Sequence, residues 1–288
     1  MKHFAITLLI VGIALLTGCR PLDVPRELQN ACKFAEEQKW DEAIAIADKC
    51  LAAVPGNVDA TALKSLCLFK AKLGNAESVD HALELISQAV ALAPDRYDIQ
   101  FIHGWELLMA KRPKEAMAPL RKAYDLHLRK ENAAHVPQKV QGAIKFYLGE
   151  CCYRNNLYAE AARYQEQALS SSPFDQWPTL YNNIAVFSRN AGRIYEATGF
   201  VAKAQKMAPQ DWTIALNMAV LNDYMSDKRY NPASADAYRA TVPGWYNYSR
   251  SLLHRQYAGT KNVQALRFAQ TLDAEITRRL QEISTGKH

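Results

Sequence analysis

The chain has 288 residues, of which 49% are hydrophobic and 22% charged, and its 35 Lys and Arg exceed its 29 Asp and Glu to give a net charge of +6. This composition is that of a folded protein and excludes an intrinsically disordered chain. The charge excess is mild and includes no run of five like charges. We therefore expect a solvated surface rather than a nucleic-acid-binding patch, and no nucleic acid as a partner.

The first predicted element is an apolar segment from Phe4 to Leu16, which runs directly into Leu16-Thr17-Gly18-Cys19. It is too short for a spanning helix, which needs about 20 apolar residues. The segment resembles the signal peptide of bacterial lipoproteins, whose lipobox ends in Gly-Cys at the cleavage point. The resemblance implies a signal peptide over residues 1–18, a tether over residues 19–23 and a covalent lipid on Cys19. No other cofactor is expected.

The same resemblance implies attachment to a bacterial membrane through the lipid on Cys19. Arg20 follows the cysteine, and in the enteric sorting rule an aspartate at that place retains a lipoprotein in the inner membrane. The absence of aspartate favours the outer membrane, with the protein facing the periplasm. The alternatives are an ordinary signal peptide with a chance cysteine and an N-terminal anchor that is never cut.

From Val24 onward the sequence repeats with a period of about 34 residues. The clearest unit, Gly142 to Asp175, carries at fixed offsets the residues Lys145, Leu148-Gly149, Cys152, Tyr158, Glu160-Ala161, Ala168 and Pro173. These offsets resemble the tetratricopeptide repeat (TPR), a pair of antiparallel helices. Its small residues let two helix backbones approach closely, and its proline ends the second helix because it has no N–H to donate.

Five units follow this pattern, and a sixth begins at Trp212 and then degrades. The other four units are Val24 to Asn57, Val58 to Arg96, a unit from Tyr97, and Pro178 to Asp211. The resemblance implies an all-α fold, a right-handed superhelix of TPR-type helical hairpins over residues 24–243. A capping helix pair is expected within residues 244–288, because the last apolar face of a solenoid must be shielded from water. A generic helical bundle is the alternative.

No catalytic motif is present: the sequence contains no H-E-x-x-H, G-x-S-x-G or P-loop pattern, so we expect no enzyme activity. His103, His127 and His135 lack metal-ligand spacing. Besides Cys19, the cysteines fall within helical patterns without C-x-x-C spacing, which favours small buried hydrophobic residues and no metal. A bridge among the first three of them is an alternative in an oxidising periplasm. They are Cys32, Cys50, Cys67, Cys151 and Cys152.

TPR arrays offer a concave groove lined by the first helix of each unit. In this sequence the corresponding positions are aromatic in the earlier units, and amides and an arginine in the later ones. Rings would supply apolar anchors for an extended peptide or protein partner, and amides would bind its backbone; the alternative is that several rings fill the interior. The predicted groove residues are Phe69, Phe101, Trp105, Phe146, Tyr147, Tyr153, Asn182, Asn183, Arg189 and Asn217.

These features predict a membrane-anchored TPR lipoprotein that acts as a non-enzymatic interaction scaffold in the bacterial cell envelope. Similar lipoproteins assist the assembly of pili, secretion pores or outer-membrane machinery, and the sequence does not choose among them. One alternative is a hydrolase in the degraded region from Tyr224 to Tyr257, which contains Asp236 and His254. Another is a structural protein that self-associates, since the sequence leaves the oligomeric state open.

Overall fold

The computed structural model describes residues 23–72, 75–129, 135–229 and 231–285. Within these ranges the chain is all-helical, which confirms the predicted all-α fold of TPR-type hairpins. The thirteen α-helices of these ranges are α1 Val24–Glu36, α2 Trp40–Ala53, α3 Val58–Ala71, α4 Ala76–Leu92, α5 Tyr97–Met109, α6 Pro113–His127, α7 Gln138–Arg154, α8 Tyr158–Ala168, α9 Pro178–Asn190, α10 Ile194–Met207, α11 Trp212–Met225, α12 Ala235–Tyr257 and α13 Val263–Ser284. The predicted signal peptide and Cys19 lie outside the described residues.

The helices form two compact units. Of the described residues, the first unit contains those up to Leu157 together with Gln167–Ser172, and the second contains Tyr158–Glu166 together with those from Pro173 onward. In the first unit, α1 packs on α2, α3 on α4 and α5 on α6, and in the second unit α9 packs on α10 and α11 on α12. The helices therefore pack in the hairpin order that the sequence repeat predicts.

Short polar side chains begin five of the helices. The side chains of Asp23, Asn57, Asn75, Asp211 and Asn262 accept hydrogen bonds from backbone N–H groups in the first turn of α1, α3, α4, α11 and α13. These N–H groups have no partner within their own helix, so each cap satisfies donors that would otherwise be left without one. The sequence thus fixes these helix starts locally.

A left-handed residue follows the first helix of four hairpins. Gln38, Lys111, Asn156 and Gly192 have φ angles of 63°, 62°, 63° and 80°. At each of them the next residue donates its N–H to a carbonyl five positions earlier, as Lys39 does to Phe34 at 2.9 Å. This is the hydrogen bond that closes a Schellman cap, and it reverses the chain for the second helix of the hairpin.

Close backbone approach within the hairpin of α5 and α6 depends on Gly104. A Cβ atom built on this residue would lie 2.5 Å from Cγ of Leu120, nearer than real carbon contacts allow. Because glycine adds no side chain, the two helices can pack at this distance. The repeat pattern predicted a small residue at this position for that reason.

The C-terminal boundary predicted between residues 243 and 244 is wrong, because it falls inside α12. Pro243 forfeits one helical hydrogen bond, yet the helix runs through it. The flanking Val242 and Tyr246 are buried in a cluster with Ala219 of α11 and Ile276 of α13. This packing holds α12 together, so the sixth hairpin is complete. Within the described residues a single helix, α13, follows it instead of the predicted helix pair.

The five cysteines of the described ranges are buried and unbridged. The expectation of small buried hydrophobic residues is confirmed for them, and the alternative bridge among Cys32, Cys50 and Cys67 is not formed. Burial raises the pKa of the Cys32 thiol to about 12, so the thiolate is disfavoured there. Across the described parts of the chain, no helix combines the length and apolar character needed to cross a membrane.

Candidate partner-binding surfaces

The aromatic residues predicted to line the groove lie in the first unit, and five of the six are buried. Phe69 and Phe101 are 0% exposed, and Trp105, Phe146 and Tyr147 are at most 7% exposed. Their rings contact one another edge to face, with centroids 5.6 Å apart for Phe69 and Trp105 and 5.8 Å apart for Phe101 and Tyr147. Such pairs are typical of tightly packed interiors.

The prediction that these five rings are open to a partner is therefore corrected. Helical spacing is the same for a stripe that faces the interior of the superhelix and for one that lines a groove, so the sequence alone cannot separate them. Tyr153 differs from the other five aromatic residues because it is half-buried. Lys70 adds a charge above the cluster, with its Nζ 4.2 Å from the centroid of the Trp105 ring.

The polar members of the predicted groove lie in the second unit, on α9 and α11. Asn217 of α11 donates from Nδ2 to Oδ1 of Asn182 of α9 at 2.9 Å. Both residues stand on the first helices of successive hairpins, so the structure brings these two predicted residues together. Asn183 and Arg189 of α9 are half-buried, and Nε of Arg189 donates to the neighbouring Asn190 at 3.3 Å.

This amide pair leaves hydrogen-bonding capacity unused. Once Asn217 Nδ2 has bonded to Asn182 Oδ1, Nδ2 of Asn182 and Oδ1 of Asn217 have no further hydrogen bond within the described residues. Neither atom is among the buried polar atoms that lack a partner, so each keeps some contact with solvent, although Asn182 as a whole is buried, at 8% exposed, and Asn217 is half-buried. The N–H groups of Asn182 and the oxygen of Asn217 are complementary to the C=O and N–H of an extended peptide.

A buried carboxyl group in the first unit was not predicted from the sequence. Glu106 of α5 is 0% exposed, and its Oε1 and Oε2 lie 3.0 Å and 2.9 Å from Oγ of Ser65 in α3. The same Oγ lies 2.7 Å from the carbonyl oxygen of Ala82 in α4. Burial raises the pKa of Glu106 well above its ordinary value, against the opposing effects of Ser65 and Lys70.

The hydroxyl of Ser65 has a single proton, and the Ala82 carbonyl and both Glu106 oxygens lie within its reach. Ser65 donates to Glu106 when that side chain is ionised, whereas a protonated Glu106 carboxyl donates to the Ser65 oxygen and leaves the Ser65 proton for the Ala82 carbonyl. Three helices of two successive hairpins are joined in this way. The sequence contained one indication of this network: Glu106 is an acidic residue that interrupts the apolar second half of α5.

The second unit contains a charged cluster that the repeat pattern did not reveal. Asp223 of α11 accepts a hydrogen bond from Nε of Arg279 in α13 at 2.7 Å. Tyr246 of α12 lies 3.4 Å from the same carboxylate oxygen, and burial raises the pKa of this tyrosine to about 12. A cavity of about 680 Å³ opens beside this cluster. Because Asp223 and Arg279 are far apart in sequence, no local pattern could pair them.

The residues considered for a hydrolase lie in separate clusters. His254 Nε2 lies 2.6 Å from Oδ1 of Asp273, which also accepts from Arg250 at 2.6 Å. Hydrogen bonds from Arg250 lower the pKa of Asp273. Asp236 instead bonds Arg239 at 3.0 Å near the start of α12. His254 therefore belongs, with Arg250 and Asp273, to a group of polar side chains that joins α12 to α13.

Half-buried His103 and buried His127 of the first unit are packing residues. Burial lowers the pKa of both His103 and His127, which keeps the rings neutral near pH 7. His127 is 1% exposed, and its Nδ1 contacts the carbonyl oxygen of Tyr124. In the part of the chain that the structure describes, no three His, Cys, Asp or Glu residues are placed to hold a metal ion.

Comparison with known proteins agrees with this architecture. Residues 131–176 match the family described as Tetratricopeptide repeat. The chain has the TPR fold. No curated protein sequence is significantly similar to it, so the further resemblances are to solved structures.

Three solved structures show the extent of the likeness. PilF of Pseudomonas aeruginosa is 18% identical over 85% of this chain and 96% of its own, with a TM-score of 0.59. PilW, a widely conserved type IV pilus biogenesis factor, is 21% identical over 81% of this chain and 98% of its own, with a TM-score of 0.57. YrrB, a TPR protein with an unusual peptide-binding site, is 18% identical over 67% of this chain and 90% of its own, with a TM-score of 0.51. At these identities the likeness concerns the fold.

Proposed function

We propose that this protein is a non-enzymatic interaction scaffold that binds an extended segment of a partner protein on α9 and α11. The observation that carries the proposal is the amide pair of Asn182, which is 8% exposed, and half-buried Asn217. Nδ2 of Asn182 and Oδ1 of Asn217 are left without a partner within the described residues, and neither is fully shielded from solvent. Amides that merely filled the interior would satisfy each other fully, because an unpaired buried amide is costly. The TPR fold supports a role in protein binding.

The surroundings of the amide pair suit a peptide. Val186 of α9 and Leu216 of α11 are half-buried near the pair in sequence, so apolar surface is available for side chains of the bound segment. Arg189, about two turns beyond Asn182 on α9, adds a charge-assisted donor. The expected ligand is a peptide in extended conformation, recognised through its backbone with modest side-chain selectivity.

The scaffold is proposed to work in the bacterial envelope, attached by a lipid on Cys19. This part rests on the lipobox-like Leu16-Thr17-Gly18-Cys19 and on the apolar segment before it. Tethering would raise the effective concentration of the protein near membrane-bound partners. PilW is described as a type IV pilus biogenesis factor, so assembly of envelope machinery, with pili first, is the setting in which to look for the partner.

Site-specific photo-crosslinking in cells tests the proposal. A photoreactive residue replaces Asn183, which is half-buried beside the amide pair, and a control probe replaces Tyr195 of α10, which is 61% exposed. We expect a discrete envelope protein to be trapped from position 183 and not from position 195. Equal trapping from both positions, or trapping of only a second copy of this chain, would contradict the proposal.

A double variant tests the amide pair itself. N182A with N217A removes both partners of one hydrogen bond, which is nearly neutral for folding, so the melting temperature should change little. Capture of the crosslinked partner should weaken about fivefold or more, since about 1 kcal/mol is expected for each lost hydrogen bond. Q210A with Q270A removes two exposed amides of the same unit and should leave capture unchanged. Unaltered capture by the first variant would refute the role of the pair.

A further inference from the structure

The turn between α12 and α13 in the second unit carries exposed apolar side chains. Val263 is 61% exposed, Leu266 41% and Phe268 51%. Successive helical residues are rotated by about 100°, so Leu266 and Phe268 lie on either side of the exposed Arg267. We call residues 255–268 the α12–α13 tip. A cluster of exposed aliphatic and aromatic side chains on one short segment indicates a surface that binds something.

Two further aromatic rings adjoin this surface. The ring centroid of Phe268 lies 6.1 Å from that of Trp212 in α11 and 6.3 Å from that of Tyr257 in α12. Both of these residues are half-buried, and the indole N–H of Trp212 and the hydroxyl of Tyr257 have no hydrogen bond within the described residues. Each ring therefore has an apolar body against Phe268 and a polar atom left for water or a ligand.

The α12–α13 tip contains cations and no anions. The sequence has no Asp or Glu over residues 237–272. Arg255, Lys261 and Arg267 are exposed, and none of them forms an ion pair within the described residues. Their charges are therefore not neutralised by side chains of this chain.

The carboxylates that lie closest along the same helices are already engaged. Asp273, further along α13, accepts a hydrogen bond from Arg250 at 2.6 Å. Asp211 accepts hydrogen bonds from backbone N–H groups in the first turn of α11 and brings one negative charge against the three cations of the tip. The net charge of the tip and its surroundings on these helices is therefore positive.

We propose that the α12–α13 tip binds the surface of a membrane that contains anionic lipids. Lipid phosphates lie beside the boundary of the acyl chains, so such a surface accommodates the cations and the neighbouring apolar side chains together. Tryptophan and tyrosine are the aromatic residues enriched at this boundary. A second copy of the chain, docked tip to tip, would instead bring like charges together.

This inference goes beyond the proposed function. None of its residues belongs to the amide pair, and it does not require the lipid on Cys19. Binding at the membrane surface also requires no spanning helix. A failure at the tip would leave partner capture from position 183 unchanged, so the two proposals can fail separately.

A local fluorescent probe in the full chain tests the inference. An environment-sensitive fluorescent amino acid replaces exposed Gln264, and in a control it replaces exposed Gln281, about 25 Å further along α13. The protein is mixed with vesicles of phosphatidylethanolamine and phosphatidylglycerol, or of phosphatidylcholine alone, each containing lipids with brominated acyl chains. The probe reports only contact near its own position, so attachment through the N-terminus does not produce the signal.

We expect quenching and a blue shift at position 264 on the anionic vesicles, little change at position 281 or on phosphatidylcholine, and reversal by salt. No quenching at position 264, or equal quenching at both positions, would overturn the inference. A blue shift without vesicles that grows with protein concentration would assign the tip to a second copy. A blue shift with soluble polyglutamate but none with vesicles would assign it to an acidic protein. Either result would also overturn the inference.

Matched variants separate the two contributions. K261Q with R267Q should lower the ratio of bound to unbound tip about tenfold or more, since each cation near an anionic surface contributes about 1 kcal/mol. V263Q with L266Q should lower it about tenfold through lost apolar burial. All four positions are exposed, so the melting temperature should change little.

The control for charge is K228Q with R278Q. These two cations are also exposed, and they lie beyond the end of α11 and in the second half of α13, away from the tip. Their loss should change the ratio of bound to unbound tip less than about twofold. Equal weakening by the two charge variants, or no weakening by V263Q with L266Q, would contradict binding through the tip.

Discussion

Replacing Glu106 by Gln should stabilise the protein at neutral pH, and by an amount that depends on pH. Glutamine is neutral at every pH and can donate to Oγ of Ser65 as the protonated carboxyl does. The wild-type side chain is 0% exposed and its pKa is raised well above 4.5 by burial. The variant should therefore remove a titration that weakens the wild type.

The sign of the pH dependence follows from the linkage between protonation of Glu106 and folding. The folded state holds the Glu106 proton more tightly than the unfolded chain, so the stabilising effect of that proton is complete below the unfolded pKa near 4.5. It is lost as the pH rises toward the folded pKa. Over that window the wild-type free energy of unfolding falls by about 1.4 kcal/mol per pH unit relative to the variant.

Urea unfolding at a series of pH values measures this difference. Far-ultraviolet circular dichroism and tryptophan fluorescence should be followed together, because a chain with two units can unfold in more than one step. Subtracting variant from wild type cancels the titrations of other groups, including the buried histidines. E84Q, on the exposed face of α4, is the matched control and should give a small, flat difference. An E106Q variant that is less stable by the same amount at every pH would refute the reasoning, since Glu106 would then be ionised in the folded state.

Two further predictions concern the turn positions and the N-terminus. K111G should stabilise the protein by about 0.5–1 kcal/mol because glycine adopts the φ of 62° without strain, whereas G192A, at a φ of 80°, should destabilise it by about 1 kcal/mol. Urea unfolding of both variants checks this, and a loss of stability in K111G would contradict it. C19A should abolish labelling with a fatty-acid analogue and leave an unprocessed precursor on a gel; normal labelling of that variant would refute lipidation at Cys19.

Much of the fold could be predicted from the sequence, because the signals that determine it act locally. The capping residues, the small residue at Gly104 and the closing prolines act through neighbours a few positions away or through the next helix. Their offsets are therefore readable along the chain. These signals predicted the hairpins and their order. Asn182 and Asn217 were predicted from their repeat positions to share one surface, and their side chains are in contact because successive first helices of a solenoid lie side by side. Their role in binding stays a prediction.

Only the tertiary structure decided which helical faces are interior and where distant charges meet. Phe69 and Phe101 have the same spacing whether they line a groove or fill the core, and packing of neighbouring helices buries them. In a sequence, Pro243 predicts the end of a helix. In the structure, contacts of the neighbouring residues with α11 and α13 keep α12 helical on both sides of this proline. The pairing of Asp223 with Arg279, and with it the charged cavity, depends on how α13 returns to α11. Sequence patterns report periods and caps, whereas burial and long-range charge pairing are properties of the packed chain.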